Sequence, residues 1–83
     1  MSEQAADMCA LMEHAAKALV ENPAEVLVES FDEDQEIVVE LTVAEADMGR
    51  IIGRQGRTAR ALRHLLTAAS LKTNKRYALE ILE

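Results

Sequence analysis

The chain has 83 residues, 49% of them apolar, and a formal net charge of −6 at pH 7; this length fits one domain with a modest core and excludes a large enclosed active site. Phe31 and Tyr77 are its only aromatic residues, which largely excludes the stacking of bases on aromatic rings. The single cysteine, Cys9, excludes an internal disulfide framework and gives no metal site without nearby partners, which favours a reducing compartment.

The first predicted element is an amphipathic helix over residues 3–20, preceded by a flexible N-terminus over residues 1–4. Its apolar residues recur at helical spacing: Met8, Leu11, Met12, Ala15 and Leu19. Pro23 ends the helix because it disfavours helical geometry at Asn22. This segment has acidic residues where a signal peptide has its basic start, and no apolar run approaches the roughly 20 residues that span a bilayer. We therefore expect a soluble, cytoplasmic protein with no membrane contact.

Two strands joined by a short acidic turn follow the first helix. Residues 25–31 are rich in β-branched side chains, and residues 36–43 alternate between apolar and mostly polar side chains, so that Ile37, Val39 and Leu41 share one face. The acidic turn over residues 32–35 is short enough for an antiparallel hairpin.

Two helices separated by a glycine turn come next, over residues 44–52 and 57–71, and a final strand covers residues 77–82. On the longer helix, we expect Leu62, Leu65, Leu66 and Ala69 to face the core. The opposite side of that helix carries Arg57, Arg60, Arg63 and His64. A basic polar loop connects the helix to the last strand.

This order predicts one α+β domain over residues 1–83, with three helices packed on one face of a three-stranded sheet. Because two helices connect the second strand to the third, the length of this crossover suits parallel pairing between those strands. The predicted sheet is therefore mixed.

Positive charge is concentrated in one part of the chain. Residues 1–49 carry thirteen acidic residues and one lysine, whereas residues 50–79 carry eight basic residues and no acidic one. Screening beyond about 8 Å at physiological salt leaves the local field dominant. This segment can therefore attract an anionic partner despite the net charge. The alternative is that the arginines only form a solvated helix face.

Gly53 and Gly56 lie between the ends of two helices, in the segment IIGRQGR. Glycine permits a sharp turn and removes side chains that would block a close approach. The first N–H groups of the second helix lack intrahelical partners, so we expect them to suit a phosphate oxygen. The glycine spacing fits neither a P-loop nor the dinucleotide fingerprint. The alternative is that these glycines only cap one helix and begin the next.

The stretch MGRIIGRQGRTARALRHLL, with VELTVAEAD before it and NKRYALEIL after it, resembles the K-homology (KH) family of RNA-binding domains and, within it, the small stand-alone bacterial KhpA proteins. The resemblance covers nearly the whole chain. It implies a type II KH fold of order α-β-β-α-α-β, without enzymatic activity. It also implies a GxxG loop that clamps the backbone of about four nucleotides of single-stranded RNA.

The resemblance assigns the RNA-binding residues to three groups. The clamp is Gly53, Arg54, Gln55 and Gly56, and Ile52 immediately before it helps to line the base groove. Further cations are Arg50 before the loop, Arg57, Arg60 and Arg63 on the second helix, and Lys72, Lys75 and Arg76 in what corresponds to the variable loop. Many KH domains have a bulky aliphatic residue where this chain has Ala59. We expect no catalytic residue, no metal site and no cofactor.

The resemblance also implies partners and a cellular role. KhpA-like proteins are associated with homodimers, with heterodimers that include the larger RNA-binding protein KhpB, also called Jag, and with RNA chaperoning, cell-wall synthesis and cell length. We therefore expect an RNA chaperone or post-transcriptional regulator. The alternative is a KH-fold dimerisation or scaffold module that binds little RNA, and the thirteen acidic residues of the first 49 keep this alternative open.

Overall fold

The computed structural model describes residues 3–83 and has the predicted order of elements. The helices are α1 (Glu3–Leu19), α2 (Met48–Ile52) and α3 (Arg57–Ser70), and the strands are β1 (Leu27–Glu33), β2 (Glu36–Thr42) and β3 (Arg76–Leu82). Short 3₁₀ turns cover Pro23–Glu25, Glu45–Asp47 and Arg54–Gly56. Of the flexible N-terminus expected over residues 1–4, the first two residues lie outside the described part of the chain, and the next two already belong to α1.

The sheet is mixed, as predicted, with β2 in the centre of the order β1-β2-β3. β1 pairs with β2 antiparallel, and β3 pairs with β2 parallel. The parallel pairing follows from the connection through α2 and α3, because a parallel strand needs a long crossover. The prediction of an α+β fold with the order α-β-β-α-α-β is confirmed.

The core lies between the helices and the inner face of the sheet. β2 contributes Ile37, Val39 and Leu41, and β3 contributes Tyr77 and Leu79. Opposite them, α1 contributes Met8, Cys9, Met12 and Ala16, and the other helices contribute Ile51, Leu62 and Leu66. Burial of these side chains is the main favourable term that holds the two layers together.

One prediction about side-chain direction is wrong, and one residue of the outer sheet face is more buried than its pattern predicted. Leu65, expected in the core, is 42% exposed, because the buried stripe of α3 runs through Ala59, Leu62 and Leu66 and Leu65 lies roughly 100° from its centre. Val38, expected on a mostly polar face, is 8% exposed. It lies on the outer face of the central strand, where its cross-strand neighbours are Phe31 and Ala78.

The turn between α2 and α3 requires glycine at two positions. Both positions have a positive φ, and the first also has no room for a side chain. Gly53 has φ +78° and Gly56 has φ +73°, both in the left-handed region. A Cβ on Gly53 would also lie 2.2 Å from Oγ1 of Thr58, whereas a Cβ on Gly56 would meet nothing within 4 Å. The turn is therefore closed by direct contact between the backbone of Gly53 and the first turn of α3.

Asp47 anchors the start of α2 to the end of α1. It is 1% exposed, and its carboxylate accepts hydrogen bonds from the N–H of Glu21 at 3.1 Å, the N–H of Asn22 at 3.1 Å and the Nδ2 of Asn22 at 3.0 Å. Burial alone would raise the pKa of this carboxyl, but the three hydrogen bonds and the positive charge of Arg50 hold the pKa below its ordinary value of 3.8.

We expect alanine substitutions to rank the three glycines by their geometry. Gly56→Ala should lower the free energy of unfolding by about 1–2 kcal/mol, the cost of a left-handed residue with a Cβ. Gly53→Ala should lower it further, because the contact with Thr58 is added. Gly49→Ala, inside α2 with open space around it, should raise it by about 0.5–1 kcal/mol. Urea unfolding measures all three. An equal loss of unfolding free energy in Gly53→Ala and Gly56→Ala would contradict the close contact between Gly53 and Thr58.

The hydrogen bonds that Asp47 accepts predict that the stability of the chain falls at low pH. Because the pKa of Asp47 is lower in the folded chain, its contribution is fully present above about pH 4 and is lost as the pH falls through the folded value. Asp47→Asn should therefore lower the melting temperature at neutral pH and flatten its decline below pH 4. The control is Asp34→Asn, at an exposed turn position with φ 52° that asparagine tolerates. A melting temperature of the native chain that stays constant below pH 4 would contradict this stabilising role of Asp47.

Candidate nucleic-acid interface

The loop between α2 and α3 keeps three of its N–H groups in internal hydrogen bonds. Gly53 donates to the carbonyl of Gly49 at 2.9 Å, Gly56 donates to that of Gly53 at 3.1 Å, and Arg57 donates to that of Arg54. The expectation that the first N–H groups of the second helix lack internal partners and suit a phosphate is wrong for Gly56 and Arg57, because the 3₁₀ turn over Arg54–Gly56 uses both. The N–H of Gly53 instead closes the end of α2.

Two N–H groups at the tip of the loop are different. The N–H groups of Arg54 and Gln55 open the 3₁₀ turn, so they have no partner within it, and none of the three bonds above uses them. Arg54 has helical dihedrals, whereas Gln55 has φ 57° and ψ 25°. A helical residue followed by a left-handed one turns successive N–H groups toward one side and makes a concavity that suits an anion. Both residues are exposed, so this concavity opens to solvent.

Arginines surround this loop and brace it. A guanidinium nitrogen of Arg60 donates to the carbonyl of Gln55 at 3.1 Å, and one of Arg57 donates to Oε1 of Gln55 at 3.1 Å. Arg54 projects from the loop itself and makes no ion pair with the described residues. Three guanidinium groups therefore lie at or beside the two free N–H groups.

Other predicted cations are paired or point elsewhere. Arg50 forms an ion pair with Glu21, and Nζ of Lys75 lies 3.1 Å from Oδ2 of Asp32. Arg76 lies on the outer face of the sheet, because its neighbour Tyr77 faces the core and successive strand residues alternate. Lys72 is exposed after the end of α3. The structure thus gathers only part of the predicted set around the loop.

A shallow groove of about 350 Å³ lies between the end of α3 and the start of β3. Thr67, Ser70 and Leu71 line one side, and residues 73–77 line the other. Arg60 and Arg63 lie on the same side of the helix as Thr67, by helical spacing. The arginines therefore form a path from the loop toward this groove.

The apolar residues near the loop differ in exposure. Ile52, which the resemblance places at the base groove, is 37% exposed immediately before the loop. Ala59 is 3% exposed and belongs to the buried stripe of α3, so it provides no surface for a base.

Thr58 and Asp47 also position the loop, and the sequence alone did not predict this role for either residue. Thr58 contacts Gly53, and no pattern in the sequence marks it. Asp47 stands directly before α2, where an acidic residue ordinarily caps the helix, yet its side chain makes no cap hydrogen bond and reaches Asn22 instead. Asp47 and Asn22 are 25 residues apart in the sequence, and only the fold brings them together.

Other kinds of site find little support in the described chain. Residues 3–83 contain no group of three or more histidine, cysteine or acidic side chains arranged to hold a metal ion. Within the same residues, no helix has the length and apolar character needed to cross a membrane. Cys9 is buried among core side chains.

Comparison with known proteins gives consistent matches over most of the chain. The RNA-binding protein KhpA of Clostridium acetobutylicum is 49% identical over 72 residues, which cover 87% of this chain and 96% of that protein. The protein of the same name from Halalkalibacterium halodurans is 45% identical over 76 residues, 92% of this chain and 100% of the relative. That from Aquifex aeolicus is 48% identical over 73 residues, 88% of this chain and 92% of the relative.

The family comparison covers the same region. A family model described as "KhpA/KhpB, KH domain" matches residues 10–81, and no solved structure gives a significant match. The matched region runs from the middle of α1 to the end of β3 and includes the loop with its arginines. The relatives are named as RNA-binding proteins rather than enzymes, in agreement with the expectation of no catalytic function. The chain belongs to the KhpA/KhpB family of KH domains.

Proposed function

We propose that the chain acts as a single KH module that binds single-stranded RNA by holding its phosphates at the loop of residues 53–56. The observation that carries this proposal is the pair of free N–H groups of Arg54 and Gln55 within a ring of arginines. Backbone N–H groups of this kind donate hydrogen bonds to phosphate oxygens without regard to base identity. RNA as the partner is also supported by the names of the relatives.

The geometry suggests how the RNA backbone approaches the loop. No side chain projects from Gly56, and a Cβ there would meet open space, so a phosphate can come close to the main chain. Its oxygens would accept hydrogen bonds from the N–H groups of Arg54 and Gln55, while Arg54 and Arg57 supply charge. Such bonds between an ionised acceptor and its donors are stronger than neutral ones.

The rest of the strand would follow the path of Arg60 and Arg63 toward the groove beside β3. Along this path, Ile52 is the apolar surface available to a base near the loop. Phosphate contacts position the RNA but carry no sequence information. The one aromatic residue that lines the groove, Tyr77, is only 6% exposed and so offers little surface for a base to stack on. We therefore infer broad, mildly selective binding whose affinity depends strongly on salt.

We further propose that this binding serves an RNA chaperone or post-transcriptional regulator in the cytoplasm, which acts with a KhpB-type partner in cell-wall and cell-length control. What supports this role is membership of a family whose description joins KhpA and KhpB. Pairing with a second RNA-binding module would raise the affinity of a single weak module through effective concentration.

A surface for such pairing is available on α3. Leu65 is 42% exposed. On the helix, Ala61 and Ala68 lie beside Leu65 and are also exposed. Apolar side chains grouped at the surface are typical of contacts between proteins. We propose that this strip pairs two chains, either two copies or this chain and its KhpB-type partner.

The loop hypothesis predicts the effect of Arg54→Asp combined with Gln55→Asp. Two carboxylates beside the free N–H groups would repel phosphate, so affinity for a labelled single-stranded RNA should fall at least about tenfold. Native binding should also weaken between low and high salt. Fluorescence anisotropy at two salt concentrations measures both effects.

The matched control changes the net charge by the same amount on α1. Lys17→Glu combined with Gln4→Glu replaces two exposed residues of the first helix, and RNA affinity should change little. If both variants lost the same amount of RNA affinity, the change in net charge would explain the loss, and this result would contradict the loop mechanism. No RNA binding by the native chain, with pairing retained, would favour the scaffold alternative.

The pairing hypothesis predicts that Leu65→Glu makes the chain monomeric at concentrations where the native chain is dimeric. A buried, unpaired carboxylate at an apolar contact is strongly unfavourable. Light scattering after size exclusion gives the mass directly. Leu27→Glu, at a leucine that is 54% exposed on the sheet, is the control and should remain dimeric. If Leu27→Glu dissociated the dimer and Leu65→Glu did not, the contact between the two chains would lie on the sheet and not on α3.

A further inference from the structure

We propose that the outer face of the sheet is a second binding surface, distinct from the loop, which takes a basic amphipathic helix of a partner protein. The helices cover only the inner face, so the outer face has no partner among the described residues. This inference goes beyond RNA binding, and it needs neither the loop nor its arginines.

The strand register arranges the outer side chains in rows that cross all three strands. One row contains Glu29, Glu40 and Glu80. On one side of it lies the row of Phe31, Val38 and Ala78, and on the other side lies the row of Leu27, Thr42 and Leu82. The outer face therefore has a stripe of three carboxylates between two rows that are mainly apolar.

The row of glutamates has no counter-charge. The ion pairs of residues 3–83 join Lys17 to Glu13, Arg50 to Glu21, and Lys75 to Asp32, and none reaches this row. Directly opposed like charges on neighbouring strands destabilise a sheet. The sequence thus places three carboxylates about 5 Å apart where the fold alone would favour another residue.

The flanking rows expose apolar surface that the fold leaves uncovered. Leu27 is 54% exposed, Phe31 is 43% exposed and Leu82 is 39% exposed. Phe31 is one of two aromatic residues in the chain, and the other, Tyr77, lies in the core. Aromatic side chains are enriched where one protein binds another.

Charge complementarity selects the occupant of this face. RNA is disfavoured because its phosphates would meet the glutamates. A second copy packed face to face is disfavoured because it would oppose two rows of glutamates. A segment with lysines or arginines along one stripe and apolar residues on both sides satisfies all three rows together.

The dimensions suit a helix that crosses the strands. Rows that are two residues apart along a strand are separated by about 6.7 Å, so the three rows span roughly 13 Å. This width is close to the roughly 10–12 Å diameter of an α-helix with its side chains. Basic residues at i, i+3 or i+4 and i+7 are neighbours about 5–6 Å apart, which matches the spacing of the glutamates across the sheet.

The test uses a synthetic helical peptide of about 18 residues of leucine, alanine and lysine, with its lysines in one stripe between two apolar stripes. Its affinity for the native chain is measured by fluorescence anisotropy, beside that of a peptide of the same composition in scrambled order. The native chain should bind the patterned peptide at least about tenfold more tightly than the scrambled one.

Two triple variants with the same change in charge separate the row from overall acidity. Glu29→Gln, Glu40→Gln and Glu80→Gln together should weaken binding at least about tenfold. The control combines Glu25→Gln, Glu45→Gln and Glu83→Gln, at exposed positions outside the sheet face. This control should keep its affinity for the patterned peptide within about twofold of the native value. Circular dichroism checks that both variants fold, and the row variant should melt at a higher temperature because the repulsion is relieved.

A final arm separates this surface from the RNA loop and from a second copy. The loop variant Arg54→Asp with Gln55→Asp should bind the peptide within about twofold of the native chain, and the glutamate row variant should keep its native mass and RNA affinity. A larger change of peptide affinity in the loop variant, equal loss in both triple variants, equal binding of patterned and scrambled peptides, or a change of mass in the row variant would each overturn the proposal.

Discussion

The contact between the backbone of Gly53 and Thr58 is the constraint on which the candidate interface depends. A Cβ at Gly53 would lie 2.2 Å from Oγ1 of Thr58, so the end of α2 and the first turn of α3 can meet this closely only without a side chain. That contact fixes the loop over Arg54–Gly56. The left-handed conformation of Gln55 and the outward N–H groups follow from the short path left to the chain.

A second constraint keeps the loop in place relative to the rest of the fold. Asp47 ties the start of α2 to the segment after α1 through bonds to Glu21 and Asn22. Because α2 has only five residues, it cannot be stable by itself. The loop is therefore held at one end by a buried carboxylate and at the other by the packing of α3 on the core. Binding groups supported in this way lose little entropy when a ligand arrives.

The sequence predicted the fold well where one periodic pattern decided the outcome. The order of elements, the hairpin and the parallel pairing of β2 with β3 all follow from alternating or helical spacing and from the length of the crossover. The pattern failed for Leu65, because a leucine at the border of a helical stripe can face either way. For Val38 the pattern gave the correct face of the strand, but it could not give the burial of that residue, which depends on its cross-strand neighbours.

The candidate site was predictable in its location but not in its details. Two glycines at a spacing of three, followed by arginines, mark the loop within the sequence. They do not show that Gly56 and Arg57 already use their N–H groups, because a 3₁₀ turn depends on the local path of the chain. Nor do they show that Arg50 pairs with Glu21, which lies in a distant segment. Such contacts arise only when the layers pack.

Positive charge and negative charge are concentrated at different places in the fold. Arginines at the loop and along α3 lie in the helical layer, whereas glutamates such as Glu40 line the outer face of the sheet. On the two proposals above, the domain would attract RNA at one place and a basic protein segment at the other, despite a net charge of −6. Each place acts at short range, because screening limits its field to about 8 Å at physiological salt.

The most direct test of the central claim is a titration of the ¹⁵N-labelled chain with a short single-stranded RNA, followed by NMR of each backbone N–H group. If phosphate binds at the loop, the N–H signals of Arg54 and Gln55 should move furthest, with smaller shifts along α3 at Arg60 and Arg63. Signals of the outer sheet face should stay in place. Saturable shifts that leave the loop unchanged would contradict the account.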